Sequence, residues 1–185
     1  MTSWAIDTAH SHIEFSIRHL MISKVRGHFH TFSGTVAFDE QTPANSTVSV
    51  QIEAASIDTG DEKRDGHLKA SDFFDVANTP HLTFVSKRVE VVDDSYGKII
   101  GDLSIHGVTK EVVLDTAYAG QAKSPWGTTS AGFSASTTIN RKDWGLSWNA
   151  ILETGGVLVG EEVSIAIELE IVKQKPEAAS ATVGS

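Results

Sequence analysis

The sequence predicts an all-β fold, an antiparallel barrel or sandwich of about eight strands. Apolar residues recur at every second position through most of the chain, the pattern of strands with one dry face. The strand-like stretches are joined mostly by short segments rich in Gly, Asp, Asn and Ser. Nowhere do long helical patterns alternate with strands, as a parallel α/β sheet would require.

Taken in order, Ile13, Phe15 and Ile17 alternate with His12, Glu14, Ser16 and Arg18 and define a half-buried strand. Val25, Gly27 and Phe29 then hold odd positions, whereas Phe32, Gly34, Val36 and Phe38 hold even ones. The phase flips near Thr31, as a β-bulge makes it do. After a turn at Pro43 to Ser46, Val48, Val50, Ile52 and Ala54 alternate again. Asn78-Thr79-Pro80 restarts the chain as extended structure. Leu82 and Phe84 open a strand, and Val85, Val89 and Val91 predict a second phase change. Asp93 to Gly97 has the composition of a hairpin turn. Ile99, Gly101, Leu103 and Ile105 lead to His106-Gly107, and Val112, Leu114, Thr116 and Tyr118 follow. Phe133, Ala135, Thr137 and Ile139 form the next strand; Asn140 to Trp144 reads as one helical turn. Residues 146–160 are Gly-rich and apolar and fit no element. Val163, Ile165, Ile167, Leu169 and Ile171 close the pattern. Strands near ten residues at about 3.3 Å per residue would enclose a long tube, which favours the barrel. An eight-stranded barrel is just wide enough to be packed solid or to hold one slender ligand.

One stretch departs from alternation, Ser56 to Val76 (SIDTGDEKRDGHLKASDFFDV). It leaves extended structure at Asp58-Thr59-Gly60. Helical spacing from Asp61 to Ala70 puts Arg64 and Leu68 on one face with Lys63 and His67 beside them. Ser71 is placed to cap one more short turn. Phe73 and Phe74 sit between Asp72 and Asp75; two such rings carry too much apolar area for both to face water. The expectation is a helical lid over one mouth of a barrel, at about residues 61–76.

Composition sets limits. The chain has 185 residues, enough for one domain burying roughly 70% of its unfolded surface. Residues 1–173 are expected to form that domain and residues 174–185, rich in Pro, Ala and Ser, a disordered tail. Net charge is −9 with both signs interspersed, which argues against a nucleic-acid or anionic-membrane surface. There is no cysteine, so neither a disulfide framework nor thiol chemistry is available. No apolar run approaches the roughly 20 residues that span a bilayer, so stable membrane insertion is not expected. The opening residues MTSWAIDT lack the basic and apolar regions of a signal peptide, so the expected location is cytoplasmic.

Candidate chemistry is sparse. His10 and His12 with Glu14, and separately His28 and His30, place imidazoles at i, i+2 on one strand face, as a cupin-like metal enzyme would use them. The competing reading is polar-face positions alternating with Ile13, Phe15 and Phe29. Nothing in the sequence brings His81 or His106 to either pair. Arg64, His67 and Lys69 could meet an anionic headgroup at the barrel mouth; by chemistry alone a solvated helix face held by weak ion pairs is the favoured reading. No G-x-S-x-G elbow supports a nucleophilic triad. Gly155-Gly156 lacks the spacing and lysine of a phosphate loop.

The remaining candidate is the apolar stripe itself: Ile13, Phe15, Ile17, Phe32, Val36, Phe38, Val50, Ile52, Phe84, Leu103, Ile105, Leu114, Phe133, Ile139, Ile165 and Ile167. It either fills the lumen or lines it. Gly27, Gly34, Gly101 and Ala135 lie within it and leave room for something else. Phe73, Phe74 and Trp144 would help close a tunnel so lined. Such a tunnel takes up hydrocarbon by burial alone, at roughly 0.8 kcal/mol per CH₂, and needs no cofactor.

Several segments together resemble the YceI-like polyisoprenoid-binding family. They are WAIDTAHSHIEFSIRHL, GHFHTFSGTVAFD, SIDTG with RDGHLKASDFFD, TPHLTFVS, GDLSIHGVTKEVVL, GFSASTTINRKDWGL and VGEEVSIAIELE, in order from Trp4 to Glu170. The resemblance implies an eight-stranded antiparallel lipocalin-like β-barrel with a short helical lid insertion. It implies a non-enzymatic partner role toward a long-chain isoprenoid or fatty-acid-like lipid, carried or stored, and a homodimer.

Overall fold

Strands with one dry face bury it most completely by closing into a barrel, and closure also removes the unpaired edges. The computed structural model describes residues 2–150, 152 and 156–175, and in it the alternating segments form an eight-stranded antiparallel closed barrel with one short helix. The strand segments are β1 (Thr2–Ile6), β2 (His12–His19), β3 (Ser23–Phe29), β4 (Phe32–Phe38), β5 (Thr47–Glu53) and β6 (Ile57–Asp58). After the helix α1 (Glu62–Lys69) come β7 (His81–Val91), β8 (Tyr96–Ile105), β9 (Val108–Lys123), β10 (Thr129–Asn140) and β11 (Val159–Lys173).

The eleven segments make eight staves because three staves are broken. β1 and β2 share the neighbour β11, with Trp4 opposite Lys173 and Ile13 opposite Ile167. β3 and β4 continue one another across His30-Thr31, and β5 and β6 across a 3₁₀ turn at Ala54–Ser56. Each stave is antiparallel to the next in sequence, and β1 pairs with β11 to close the ring.

The phase flip at Thr31 is a real break with its hydrogen bonds re-routed. The His30 N–H donates to the Ser56 carbonyl (3.2 Å) and the Thr31 N–H to Ser56 Oγ (3.1 Å). Phe29 and Phe32 on either side thereby both point inward and are buried. The second phase change is a register shift between Ser86 and Arg88, leaving Lys87 as the extra residue. At His106-Gly107 both residues have positive φ (53° and 74°), which makes the two-residue hairpin joining β8 to β9. The turn at Arg141–Trp144 is 3₁₀, capped by the Asn140 side chain and ended by Gly145 at φ 79°.

Alternating direction sorts the connections. The β2–β3 and β8–β9 hairpins, the helical insertion and the β10–β11 segment lie at one end, here the lid end. The turns between β4 and β5, β7 and β8, and β9 and β10 lie at the far end. There Phe38 stacks edge-on against Phe133 (5.3 Å) and Tyr118 (5.6 Å) above buried Trp4 and Ile171.

α1 has one apolar residue, Leu68, so capping and a polar hub hold it rather than a greasy face. The Asp61 carboxylate accepts from the Lys63 and Arg64 N–H groups (3.0 and 3.1 Å). Asp65 accepts from both the backbone N–H and the hydroxyl of Thr59, while the Arg64 guanidinium donates to the Thr59 hydroxyl (2.7 Å) and carbonyl (2.8 Å). Ser71 does not open a second helical turn; residues 71–74 and 76–78 form turns, with the Phe74 and Val76 N–H groups returning to the Leu68 and Lys69 carbonyls.

The strand glycines do not widen the lumen as expected. A Cβ on Gly27 would meet the Phe15 ring at 2.5 Å, and one on Gly101 the Phe84 ring at 2.6 Å. Neighbouring aromatic rings already occupy those notches. The expected tail falls mostly on residues 176–185, outside the described residues; Gln174 is still tied by its N–H to the Ser3 carbonyl (3.0 Å).

Candidate functional site

One continuous cavity of about 1140 Å³ runs through the barrel and under the lid. Its wall is built stave by stave from inward positions. Ile13, Phe15 and Ile17 of β2, Phe32, Val36 and Phe38 of β4, and Val50 and Ile52 of β5 line it. So do Phe84 of β7, Leu103 and Ile105 of β8, Leu114 of β9, Phe133 and Ile139 of β10, and Ile165 and Ile167 of β11. The stripe therefore lines a space rather than filling it.

The lid adds Phe73 and Phe74. Phe73 is buried and sits against His67 (5.2 Å) and Trp148 (5.5 Å), and His67 also meets Trp148 edge-on (4.6 Å). Phe74 packs edge-on against Phe29 (6.1 Å). Trp148 belongs to the segment that fits no periodic element, so nothing in the sequence marked it as a wall residue.

One expected tunnel residue, Trp144, and one expected headgroup residue, Lys69, are elsewhere. Trp144 is buried in the barrel wall, where its indole N–H donates to the Leu103 carbonyl (2.9 Å), and it does not line the cavity. The 3₁₀ turn at the end of β10 sets it in the buried core cluster that includes Ile105, Val112, Leu114 and Leu146. Lys69 does not line the cavity either, whereas Arg64 and His67 do. Five residues along a helix is about 500°, so Lys69 lies well round the cylinder from Arg64.

The two ends differ in charge. Lys63, Arg64, His67, Arg18 and His19 rim the lid end, although Asp61 is there too. Glu40, Asp93 and Asp94 rim the far end, with Lys98. Glu40 is held below the usual carboxylate range by the Lys173 ammonium hydrogen-bonded to it (2.8 Å). Cations at the lid end can receive an anionic headgroup, while the wall between receives hydrocarbon.

Arg141 also reaches the wall but is committed to the fold. Its guanidinium donates to the carbonyls of Gly160 (2.7 Å), Val159 (3.4 Å) and Leu146, and burial pulls its pKa down. It clamps the β10–β11 segment.

The histidine pairs stand on the outer wall. Asp58, opposite His28 in the sheet, accepts from His30 Nε2 at 2.8 Å and lies 4.0 Å from His28 Nε2. His10 pairs with Asp7 (2.8 Å), near Glu170, not with His12. His81 faces Glu53 (3.4 Å). Among the described residues, the two groups of three possible metal ligands are these, each with one exposed and two half-buried members, and none of the six lines the cavity as a cupin-like centre would require.

Residues 4–171 match the model of the YceI-like domain. A UPF0312 protein of Staphylococcus aureus (strain MSSA476) is 40% identical over 171 residues, covering 92% of this chain and 97% of its own. A Campylobacter jejuni YCEI protein of known structure shares 33% identity at a TM-score of 0.72, covering 86% of this chain and 90% of that one. Two more distant structures share the fold. BcnA of Burkholderia cenocepacia has a TM-score of 0.79 at 24% identity, over 89% and 98% of the two chains. A polyisoprenoid binding domain from Saccharophagus degradans has 0.66 at 15%, over 94% and 100%. Among the described residues no helix is long and apolar enough to cross a membrane.

Proposed function

This chain belongs to the YceI-like family, and from that premise we propose that it binds a long isoprenoid or comparable lipid in the barrel, as a carrier or store, without chemistry on it. The observation that carries the reading is the apolar cavity of about 1140 Å³. It exceeds the roughly 300–1,000 Å³ of ordinary small-molecule pockets. Staves of this length, tilted as barrel strands are, give a tube roughly 25–40 Å deep. Each methylene buried there contributes roughly 0.8 kcal/mol, so a long chain needs little help from polar contacts. The polyisoprenoid binding domain from Saccharophagus degradans, which shares the fold, supports the choice of ligand class.

In this reading the hydrocarbon lies along the stripe from Phe38 to Phe74 and an anionic head sits at the lid end. Arg64 and His67 face it, with Lys63 at the rim. Lys69, named from sequence as a third headgroup residue, is the comparison position. Arg64→Ala is expected to weaken binding of a polyprenyl phosphate more than of the free alcohol, and Lys69→Ala to change neither. Equal loss for both ligands in Arg64→Ala would remove the headgroup assignment.

The decisive experiment is native mass spectrometry of the protein from its own host, followed by solvent extraction. An adduct of polyprenyl or acyl mass supports the carrier. A metal-sized adduct without lipid would replace it with a histidine-centred function. A cytoplasmic location and a homodimer complete the proposal, to be tested by fractionation and light scattering.

A further inference from the structure

We propose that the β2–β3 hairpin docks on an anionic lipid surface, placing the lid end of the barrel against the membrane; this rests on the lipid-carrier reading above. Between Glu14 and Asp39 the chain has no acidic residue, yet it carries Arg18, Lys24 and Arg26. The net charge of −9 is therefore unevenly spread, and this hairpin is cationic. All three side chains are exposed, and among the described residues none is in an ion pair. Of the nearby acids, Glu161 is held by Lys142 (2.7 Å), Asp65 by Thr59 and Asp61 as the cap of α1, while Glu162, beside the Val163–Ile17 pair, stays exposed.

At the tip, three consecutive apolar residues face solvent: Leu20 is 38% exposed, Met21 52% and Ile22 83%. Leu20 and Met21 have φ of 54° and 64°, a region that bulky side chains avoid and that Gly or Asn enters without strain. A turn built only to connect two strands would use those residues. This one holds bulky apolar side chains out in water.

Its position ties it to the cavity. Ile17 and Val25 at the base of the hairpin line the cavity, as do Arg18 and His19 at its rim. The Leu20 N–H donates to the carbonyl of Leu158 (2.8 Å), another lining residue. An apolar tip backed by cations is complementary to an anionic bilayer, with the tip among the acyl chains and the cations at the phosphates. The opposite end, rimmed by Glu40, Asp93 and Asp94, has the wrong sign.

The test is flotation of the full chain with vesicles of phosphatidylcholine alone or with an equal part of phosphatidylglycerol. Binding is expected to the anionic vesicles only and to weaken as salt rises. Ile22→Asp, and separately Lys24→Glu with Arg26→Glu, should lower it by on the order of tenfold or more. Trp126→Asp is the control, an exposed apolar residue (88%) at the far end; it should bind as the parent does. No flotation with anionic vesicles overturns the proposal, as does loss in Trp126→Asp but not in Ile22→Asp. A dimer split by Ile22→Asp, without vesicle binding, overturns it in favour of self-association through the tip. Uptake of a fluorescent polyprenol from detergent micelles separates the two readings. Ile22→Asp should take it up normally; a parent that floats but takes up nothing keeps the docking surface and removes the carrier.

Discussion

Arg141 carries its charge into the barrel wall without a hydrogen-bonded carboxylate. It is 3% exposed, and its partners are the backbone carbonyls of Leu146, Val159 and Gly160. Arg141→Met would roughly keep the volume and leave the Leu146 and Gly160 carbonyls without this donor, each costing about 1–3 kcal/mol where water cannot reach it, while Val159 keeps the Asn149 side-chain amide (2.7 Å). A urea midpoint lowered by at least one such increment is the expected result, with faster amide exchange in the segment before β11. An unchanged midpoint would mean the clamp is dispensable. His10 and Asp7 make a second residue-scale case. The Asp7 hydrogen bond raises the His10 pKa above its ordinary 6.5, and the same bond, chiefly, lowers that of Asp7 below 3.8. The His10 contribution is complete below 6.5 and is lost as pH rises through the raised value. The Asp7 contribution is present above 3.8 and is lost as pH falls through the lowered one. His10→Ala should therefore lower the melting temperature at about pH 5.5 and leave it unchanged near pH 9; equal effects at both would show that the pair does not titrate as described.

The element with the least intrinsic stability is the lid. α1 spans eight residues with one apolar side chain, too short to persist on propensity alone. Its order comes from Asp61, the Thr59 hub and the two phenylalanines that follow. Asp61→Ala should cost about 1 kcal/mol of helix stability. That loss should appear as faster amide exchange confined to residues 62–70, with the barrel's melting temperature unmoved. Exchange that also accelerates in β7 or β8 would show the lid and wall to be one cooperative unit. Phe73→Ala acts on the other anchor by removing the ring between His67 and Trp148. If a lipid is held as proposed, its release should quicken while the strands keep their exchange protection. Unchanged release would place the exit at the far end.

Closure is the property of the molecule as a whole. At the seam the first stave meets β11 in two parts, β1 over Trp4 to Ile6 and β2 over His12 to His19, and Trp4 is the large buried side chain of the shorter part. Trp4→Ala should cost about 3–5 kcal/mol by cavity formation and raise exchange in the last residues of β11. Trp4→Phe should cost far less, because the indole N–H it removes is buried with no partner among the described residues. Equal losses would mean that shape, not apolar area, holds the seam.

By itself the sequence determined the strand periodicity, two of the staves' kinks, the hairpins and the insertion, because each is written in side chains within a few residues of one another. Thr31, Lys87, Gly107 and Asp61 are local signals with local consequences. The inward stripe was legible for the same reason, since period two assigns a face to every residue of a strand. Only the tertiary structure decided whether that stripe meets in the middle or stands apart around a cavity. The ring closes where β1 and β2 together meet β11, far apart in the chain, and the lumen's width depends on how many staves close together. The placement of Arg64 towards the cavity and Lys69 away from it, the meeting of His28 and His30 with Asp58, and the cationic apolar tip beside the lid depend likewise on contacts between residues far apart in the chain, where periodicity carries no information.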